Sequence, residues 1–406
     1  LSKTDTPRER RRTAVITGAS SGIGQATAEA FETDSWNLVL AARRREDLET
    51  VAAHCRDAGA QVLAVPADVG DAEAVRKLAK IACEFADPID PWFSNVGVGA
   101  VGKFLDAPMA THDQIVRSNL IGHMNDAHAA LPIFIEQGHG VFVYMISLGG
   151  FAAAPFAAAY SASKFGLKGF SEALRAELAD YPDVHICDVY PSFVDTPAIR
   201  HAGNYTGKAL SAPPPLLDPR TVAAAVVRLA DHPRSAVILG SPSWASRLSH
   251  FIAPSLNARG IKGAFERYFA QAEPAPITDG NVLTPPDDGA RIGGGLRSPS
   301  QRRGDRRHGR FERIRARWRS THDAQNGAPR LIPNGPTFEM SAPSVPTALA
   351  ADGKREEEEP AKEIRAGQQR RIRRQEVGWV PVLTITMPLN LVARRGQLPL
   401  AREECH

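Results

Sequence analysis

Tyr160 and Lys164 stand four residues apart in the run Tyr160-Ser-Ala-Ser-Lys164. Inside a helical stretch that spacing puts both side chains on one face, one turn apart. A phenol with its ordinary pKa of about 10 is a poor base at neutral pH. A lysine ammonium held nearby favours the phenolate and draws the phenol toward the working range, so the pair reads as an acid/base couple. A YxxxK spacing alone occurs by chance in many helices. Its weight here comes from Ser147, thirteen residues earlier, directly after the apolar run Val141 to Ile146. The end of a buried strand is where ligands sit in open α/β sheets.

A second group of residues is suited to holding a dinucleotide. The run from Thr13 to Gly24, TAVITGASSGIG, places a buried strand, a glycine-rich turn and a helix start in that order. Glycines let the backbone approach a pyrophosphate, and the helix beginning near Ile23 presents unpaired N–H groups and the positive end of its dipole. The spacing is GxxxGxG, from Gly18, Gly22 and Gly24, with Ser20 and Ser21 between them, and not the commoner GxGxxG. A tight strand-to-helix turn without a ligand is the plainer alternative.

About twenty residues past such glycines, NAD-binding chains carry a carboxylate for the ribose hydroxyls. Here the second strand runs into Arg43, Arg44 and Arg45. A carboxylate would repel a 2′-phosphate, whereas a guanidinium pairs with it bidentately. Arg43, helped by Arg44 and the Ser20 or Ser21 hydroxyl, therefore points to NADP(H). The competing reading is three arginines that merely open a solvated helix.

The elements that must carry these groups alternate along residues 13–239. Strands are expected at 13–17, 37–42, 61–66, 90–94, 141–146, 184–189 and 236–239. Several are apolar throughout, as strands covered on both faces must be. Helical patterns fill 24–33, 46–58, 72–85, 112–137, 159–179 and 219–229. This predicts an α/β fold, a doubly wound parallel Rossmann-type sheet of about seven strands with helices on both faces. A further helical segment over 243–271 would close the domain, giving a basic arm at 1–12, an oxidoreductase domain at 13–272 and an extension at 273–406. Pro274, Pro276, Pro285, Pro286 and the Gly293–Gly295 run break regular structure in that extension. Its composition, with nine arginines between Arg302 and Arg319 and the acidic run Glu356 to Glu359, predicts disorder.

At this point the chain resembles the short-chain dehydrogenase/reductase family. TGASSGIG, the SNVG of residues 94–97, Asn119 in SNLIG, Ser147, YSASK and the PSFVDTP of residues 191–197 follow one another in that family's order. The resemblance covers roughly residues 13–240. It implies that Tyr160 donates a proton to a carbonyl oxygen, or takes one from an alcohol, while a nicotinamide transfers hydride at the same carbon. Lys164 would lower the tyrosine pKa and bind the nicotinamide ribose, Ser147 would stabilise the substrate oxygen, and Asn119 would hold a relay water. Asp68 and the adjoining Val69 would meet the adenine, with Asn95 supporting that side. Pro191, Val194 and Thr196 would anchor the nicotinamide end. Val96, Leu148 and Ser192 depart from the family pattern without removing a reacting group. An epimerase or dehydratase, or a cofactor-binding scaffold, stays open as an alternative on the same fold.

The apolar stretch 151–159 would wall the substrate cleft, with Phe193 and the loop 199–217 as its lid. An uncharged, partly hydrophobic ketone or secondary alcohol is the expected substrate. The formal charge of +4 belongs to the last quarter, because residues 301–406 hold 21 Lys/Arg against 13 Asp/Glu. Nucleic acid is therefore not expected as a partner of the domain, although the arginine cluster with Phe311 and Trp318 has the composition for it. The four cysteines form no metal-ligand pattern, so no metal is expected. Cytoplasmic location, no membrane role and a homo-oligomer complete the expectations.

Overall fold

The computed structural model describes residues 10–32, 36–241, 243, 247–248, 252 and 254–297. The described residues all belong to one compact unit. The arginine cluster at 302–319, the acidic run at 356–359 and most of the N-terminal arm lie outside the described residues.

Seven parallel strands form the sheet: β1 (Arg12–Thr17), β2 (Trp36–Ala42), β3 (Gln61–Pro66), β4 (Pro91–Ser94), β6 (Gly140–Met145), β7 (Val184–Pro191) and β9 (Ala236–Leu239). Their order is β3-β2-β1-β4-β6-β7-β9, so the chain winds outward from β1 in one direction and then the other. The short β5 (Ala100–Val101) and β8 (Gly203–Asn204) pair separately. Three helices cover one face, α1 (Gly22–Ala30), α2 (Arg45–Asp57) and α8 (Pro219–Asp231), and three the other, α3 (Ala72–Phe85), α5 (Gly122–Gln137) and α6 (Ala158–Glu177).

Strand alternation explains why both faces are apolar. In β6, Val141, Val143 and Met145 belong to the apolar layer that holds Val222 and Val226 of α8, while Phe142 and Tyr144 belong to the one that holds Leu131 and Phe134 of α5. Successive side chains point to opposite faces, so a strand sandwiched by two helical layers must be apolar at every position. Helix starts follow local chemistry. Asp71 accepts from the N–H of Glu73 at 2.9 Å and opens α3, and Asp218 accepts from Arg220 N–H at 2.9 Å before Pro219 opens α8.

Two expectations are corrected. The helix foreseen over 112–137 begins earlier, as α4 (Met109–Val116), and is interrupted by a π-helical turn at Arg117–Ile121 before α5. The residues placed in a disordered extension from 273 onward include 273–297, which pack on the domain. Val282 is fully buried, Ile292 lies against Ala26 and Ala223, and the N–H groups of Leu296 and Arg297 reach the Asp195 carboxylate. Prolines and glycines there end regular structure without preventing burial. A short helix, α7 (Ala198–His201), lies in the connection between β7 and α8, and α9 (Pro254–Gln271) follows β9.

Candidate active site

The glycine turn at the end of β1 is shaped by close approach. A Cβ on Gly24 would stand 2.0 Å from the carbonyl oxygen of Gly18 and 2.8 Å from the Asn95 amide nitrogen. Gly18 and Gly22 adopt φ of 68° and 57°, a region that disfavours side chains. The turn is thus folded on itself, with Asn95 Nδ2 donating to Gly18 O at 3.3 Å, and leaves a concave backbone facing a large cavity. That cavity, of about 1070 Å3, opens at the C-terminal ends of the strands.

Every residue expected to bind the cofactor except Gly24 lines this one cavity. Gly24 lies beneath the turn and permits its approach to α1. Asp68 is occupied locally, its Oδ1 accepting from Gly70 N–H at 2.9 Å, and the carbonyl of Val69 accepts from Asn125 Nδ2 at 2.7 Å. Arg44 pairs through Nε with Asp47 at 3.0 Å and through Nη1 with Asp287. Arg43 donates to the carbonyl of Asn281 at 3.4 Å. Ser192, a departure from the family pattern, is accommodated because residue 240 is glycine, where a Cβ would lie 2.3 Å from the serine Oγ.

Tyr160 and Lys164 sit in the first two turns of α6. The ring of Tyr160 is flanked by glycine backbones, a Cβ on Gly149 falling 3.1 Å and one on Gly99 3.7 Å from it. Ser147 follows β6 with φ 140° and ψ 163°, a strained conformation held by its Oγ accepting from Gly149 N–H at 3.1 Å. Such strain is characteristic of sites where a side chain must point one way. Burial raises the Tyr160 phenol above its ordinary value, and the hydrogen bond with Ser147 acts in the opposite direction. Burial also brings the Lys164 ammonium down to about 7. Its Nζ donates to the Met145 carbonyl at 2.9 Å. The expected lowering of the tyrosine by lysine is therefore not what dominates here, because desolvation acts on both groups.

Asn119 lies in the π-helical turn, fully buried. Its Oδ1 accepts from Val98 N–H and its Nδ2 donates to Val98 O, both at 2.8 Å, with Ser163 Oγ a further acceptor at 3.3 Å. It clamps the loop after β4 to α6. At the other end of α6, Ser171, Arg175 and Tyr190 all bond Asp188 Oδ2 within 3.0 Å, tying the helix to β7.

Sequence reasoning missed three contributors. Phe265 and Phe269 of α9 line the cavity and pack on each other. A buried carboxyl, Asp126, accepts from Thr17 at 2.8 Å and Ser94 at 2.5 Å, at the ends of β1 and β4, and His123 shares Ser94 at 2.6 Å. Segment 281–297 lies beside the glycine turn, its Arg291 carbonyl accepting from Gly22 N–H at 2.9 Å. Only the i, i+3 spacing of His123 and Asp126 was a local signal. Among the described residues no group of three or more His, Cys, Asp or Glu is placed to hold a metal, and no helix is long and apolar enough to cross a membrane.

A doubly wound parallel sheet thus carries a glycine turn after its first strand and a Ser/Tyr/Lys cluster at its C-terminal edge, and the proteins it is similar to are oxidoreductases. Residues 12–204 match the family described as short chain dehydrogenase. The chain is 30% identical over 248 residues to the uncharacterized oxidoreductase YxnA of Bacillus subtilis, covering 60% of this chain and 70% of that one. It is 32% identical over 191 residues to dehydrogenase/reductase SDR family member 7 of Mus musculus, covering 46% and 56% respectively. Among solved structures, an alcohol dehydrogenase of the archaeon Thermococcus sibiricus complexed with 5-hydroxy-NADP is similar. It shares 27% identity, covers 57% of this chain and 96% of that chain, and superposes with a TM-score of 0.50. The chain belongs to the short-chain dehydrogenase/reductase family.

Proposed function

We propose that this protein is an NADP(H)-dependent oxidoreductase that interconverts a carbonyl group and a secondary alcohol on an uncharged, partly hydrophobic substrate. The observation that carries the reading is that Ser147, Tyr160 and Lys164 line the same cavity as the glycine turn and the Arg43–Arg44 pair.

The residues present fit a dinucleotide phosphate. Gly18, Ser20, Ser21, Gly22 and Ile23 form a concave backbone surface at a helix start, suited to a pyrophosphate, with Gly24 beneath it. Arg43 and Arg44 supply guanidinium groups for a 2′-phosphate. Asp68, Val69 and Asn95 would hold the adenine side, and Pro191, Val194 and Thr196 the nicotinamide end. When bound, the cofactor supplies or accepts hydride at the substrate carbon.

The chain's own groups handle the proton. Tyr160 gives its phenolic proton to the carbonyl oxygen in reduction and receives it in oxidation. Ser147, which lines the same cavity as Tyr160, would donate to that oxygen as negative charge develops. Lys164, buried and held by Met145 O, is a proton-exchanging ammonium near neutrality one turn from Tyr160. Asn119 positions the loop at Val98. Phe193, Leu210, Phe265 and Phe269 offer apolar surface within the cavity, consistent with an uncharged substrate and with exclusion of water.

The test is oxidation of NADPH and NADH at 340 nm with a panel of apolar ketones and aldehydes, for the wild type and Tyr160→Phe. Turnover with NADPH that falls by about 10²- to 10⁴-fold in the variant, with NADPH binding retained, is the expected result. Turnover confined to small anionic keto acids, or undiminished in Tyr160→Phe, overturns the reading.

A further inference from the structure

Residues 281–297 run across the dinucleotide groove and occupy groups that a phosphorylated cofactor needs. At the glycine turn, the first N–H of α1, from Gly22, donates to the Arg291 carbonyl at 2.9 Å. At the arginine pair, Arg44 donates to the Pro286 carbonyl at 2.6 Å and is paired with Asp287. Pro285, Pro286 and Asp288 line the cavity itself, so two adjoining carboxylates, Asp287 and Asp288, border a groove suited to a polyanion.

The segment is latched at its far end. Leu296 and Arg297 donate their N–H groups to the Asp195 carboxylate at 2.8 and 3.2 Å, and the Arg297 guanidinium pairs with Asp218 at 2.6 Å. Between the two ends Ile292 is buried. The Asp287 side chain is almost fully exposed, so its pairing with Arg44 is weak. Backbone bonds, the buried Val282 and Ile292, the His201–Asp288 contact at 2.8 Å and the Arg297 latch hold the strap, with its weakest contact at the arginine pair.

We infer that this strap is autoinhibitory: NADP(H) binds by displacing residues 281–297 from Gly22 and Arg44, and the strap competes with the cofactor for the groove. The inference rests on the NADP(H) reading above. The 2′-phosphate replaces Asp287 as the anion on Arg44, and the pyrophosphate takes the place of the Arg291 carbonyl at the helix start. At the helix start the exchange replaces a neutral carbonyl acceptor by a charged one, and at Arg44 it replaces a weak, exposed carboxylate pair by a phosphate.

Gly294 gives a way to lift the strap without altering a groove residue. A Cβ there would lie 2.4 Å from the Thr196 carbonyl oxygen and 3.0 Å from Asp195 Oδ1, so Gly294→Val forces the segment outward. The full chain and its Gly294→Val variant are titrated with NADPH by fluorescence and stopped flow. Hydrogen exchange of the wild-type segment 281–297 is measured with and without NADPH. The expected result is about tenfold or more tighter binding and faster association in the variant, and faster exchange of the wild-type strap when NADPH is bound. Unchanged or weaker binding by a folded variant, or a strap that becomes more protected with NADPH, overturns the inference. If the variant does not fold, the wild-type exchange decides the matter. Binding of NADPH by neither protein rejects the NADP(H) reading itself, and the strap with it.

Discussion

Asn119 holds Val98 from both sides, accepting from its N–H and donating to its carbonyl at 2.8 Å each, from a fully buried position inside a π-helical turn. One side chain thereby satisfies two backbone groups of the loop that carries the cavity wall from β4 toward β5. Asn119→Leu leaves both unpaired in the interior. At about 1–3 kcal/mol for each buried unsatisfied group, thermal unfolding is expected to show a large loss of stability. Turnover should fall with it, because residues 95–99 line the cavity. A melting temperature within a degree of the wild type refutes the clamp.

Arg43 is the cleaner probe of cofactor choice, because Arg44 is ion-paired with Asp47 and Asp287, whereas Arg43 meets the strap only through a long bond to the Asn281 carbonyl at 3.4 Å. A hydrogen bond to a charged group contributes about 1.5–3 kcal/mol, equivalent to roughly 10- to 100-fold in affinity. Arg43→Ala is expected to raise KM for NADPH within that range and to leave KM for NADH nearly unchanged. Equal effects on both cofactors show that Arg43 does not read the 2′-phosphate.

Two glycines make a matched pair of substitutions. Gly24→Ala puts a methyl 2.0 Å from the Gly18 carbonyl, so the turn must open and dinucleotide binding should be lost. Gly169 lies in the interior of α6 with nothing within 4 Å of a Cβ. There Gly169→Ala removes the entropic penalty of a helical glycine and is expected to stabilise the fold by about 0.5–1 kcal/mol in denaturant unfolding. If both substitutions behave alike, close approach is not what distinguishes them.

Asp126 gives a pH dependence of defined sign. Burial is the largest cause that raises its carboxyl, to about 7, against hydrogen bonds from Ser94 and Thr17 that lower it. The native state then binds a proton that the unfolded chain releases near pH 4, so this group's contribution is fully present below about pH 4 and is lost as pH rises to about 7. Asp126→Asn removes that dependence. The stability of the variant relative to wild type should therefore rise between pH 4 and pH 7 and level off above. A difference that stays flat across that window contradicts a raised Asp126.

The fold was legible because its strands are covered on both faces. Runs such as Val141 to Ile146 are apolar at every position, and helical patterns of amphipathic period lie between them, so seven strands and the helices on each face could be placed from local pattern alone. β3 and β9 fall on the expected residues. The residues proposed to carry the chemistry could be singled out for a related reason. Gly18, Gly22 and Gly24 are constrained by the turn they make, and Tyr160 and Lys164 by one helical turn, both of which are short-range geometry. Helix continuity through residues 117–121 was misjudged, because a π-helical turn leaves hydrophobic periodicity nearly intact.

What the sequence by itself determined, then, is everything whose cause lies within a few residues: the strand and helix pattern, the glycine turn, and the serine, tyrosine and lysine spacing. Tertiary structure decided what depends on partners far along the chain. Asp126, in α5, becomes a buried carboxyl held by Thr17 and Ser94, which arrive from β1 and β4. Phe265 and Phe269 become cavity wall because α9 packs back against Phe156 at the cavity. The Gly293–Gly295 run, which locally signals only a break, allows the chain to pass against Thr196, where a side chain would collide. Such contacts leave no periodic trace, because they are set by which surfaces meet once the core has formed.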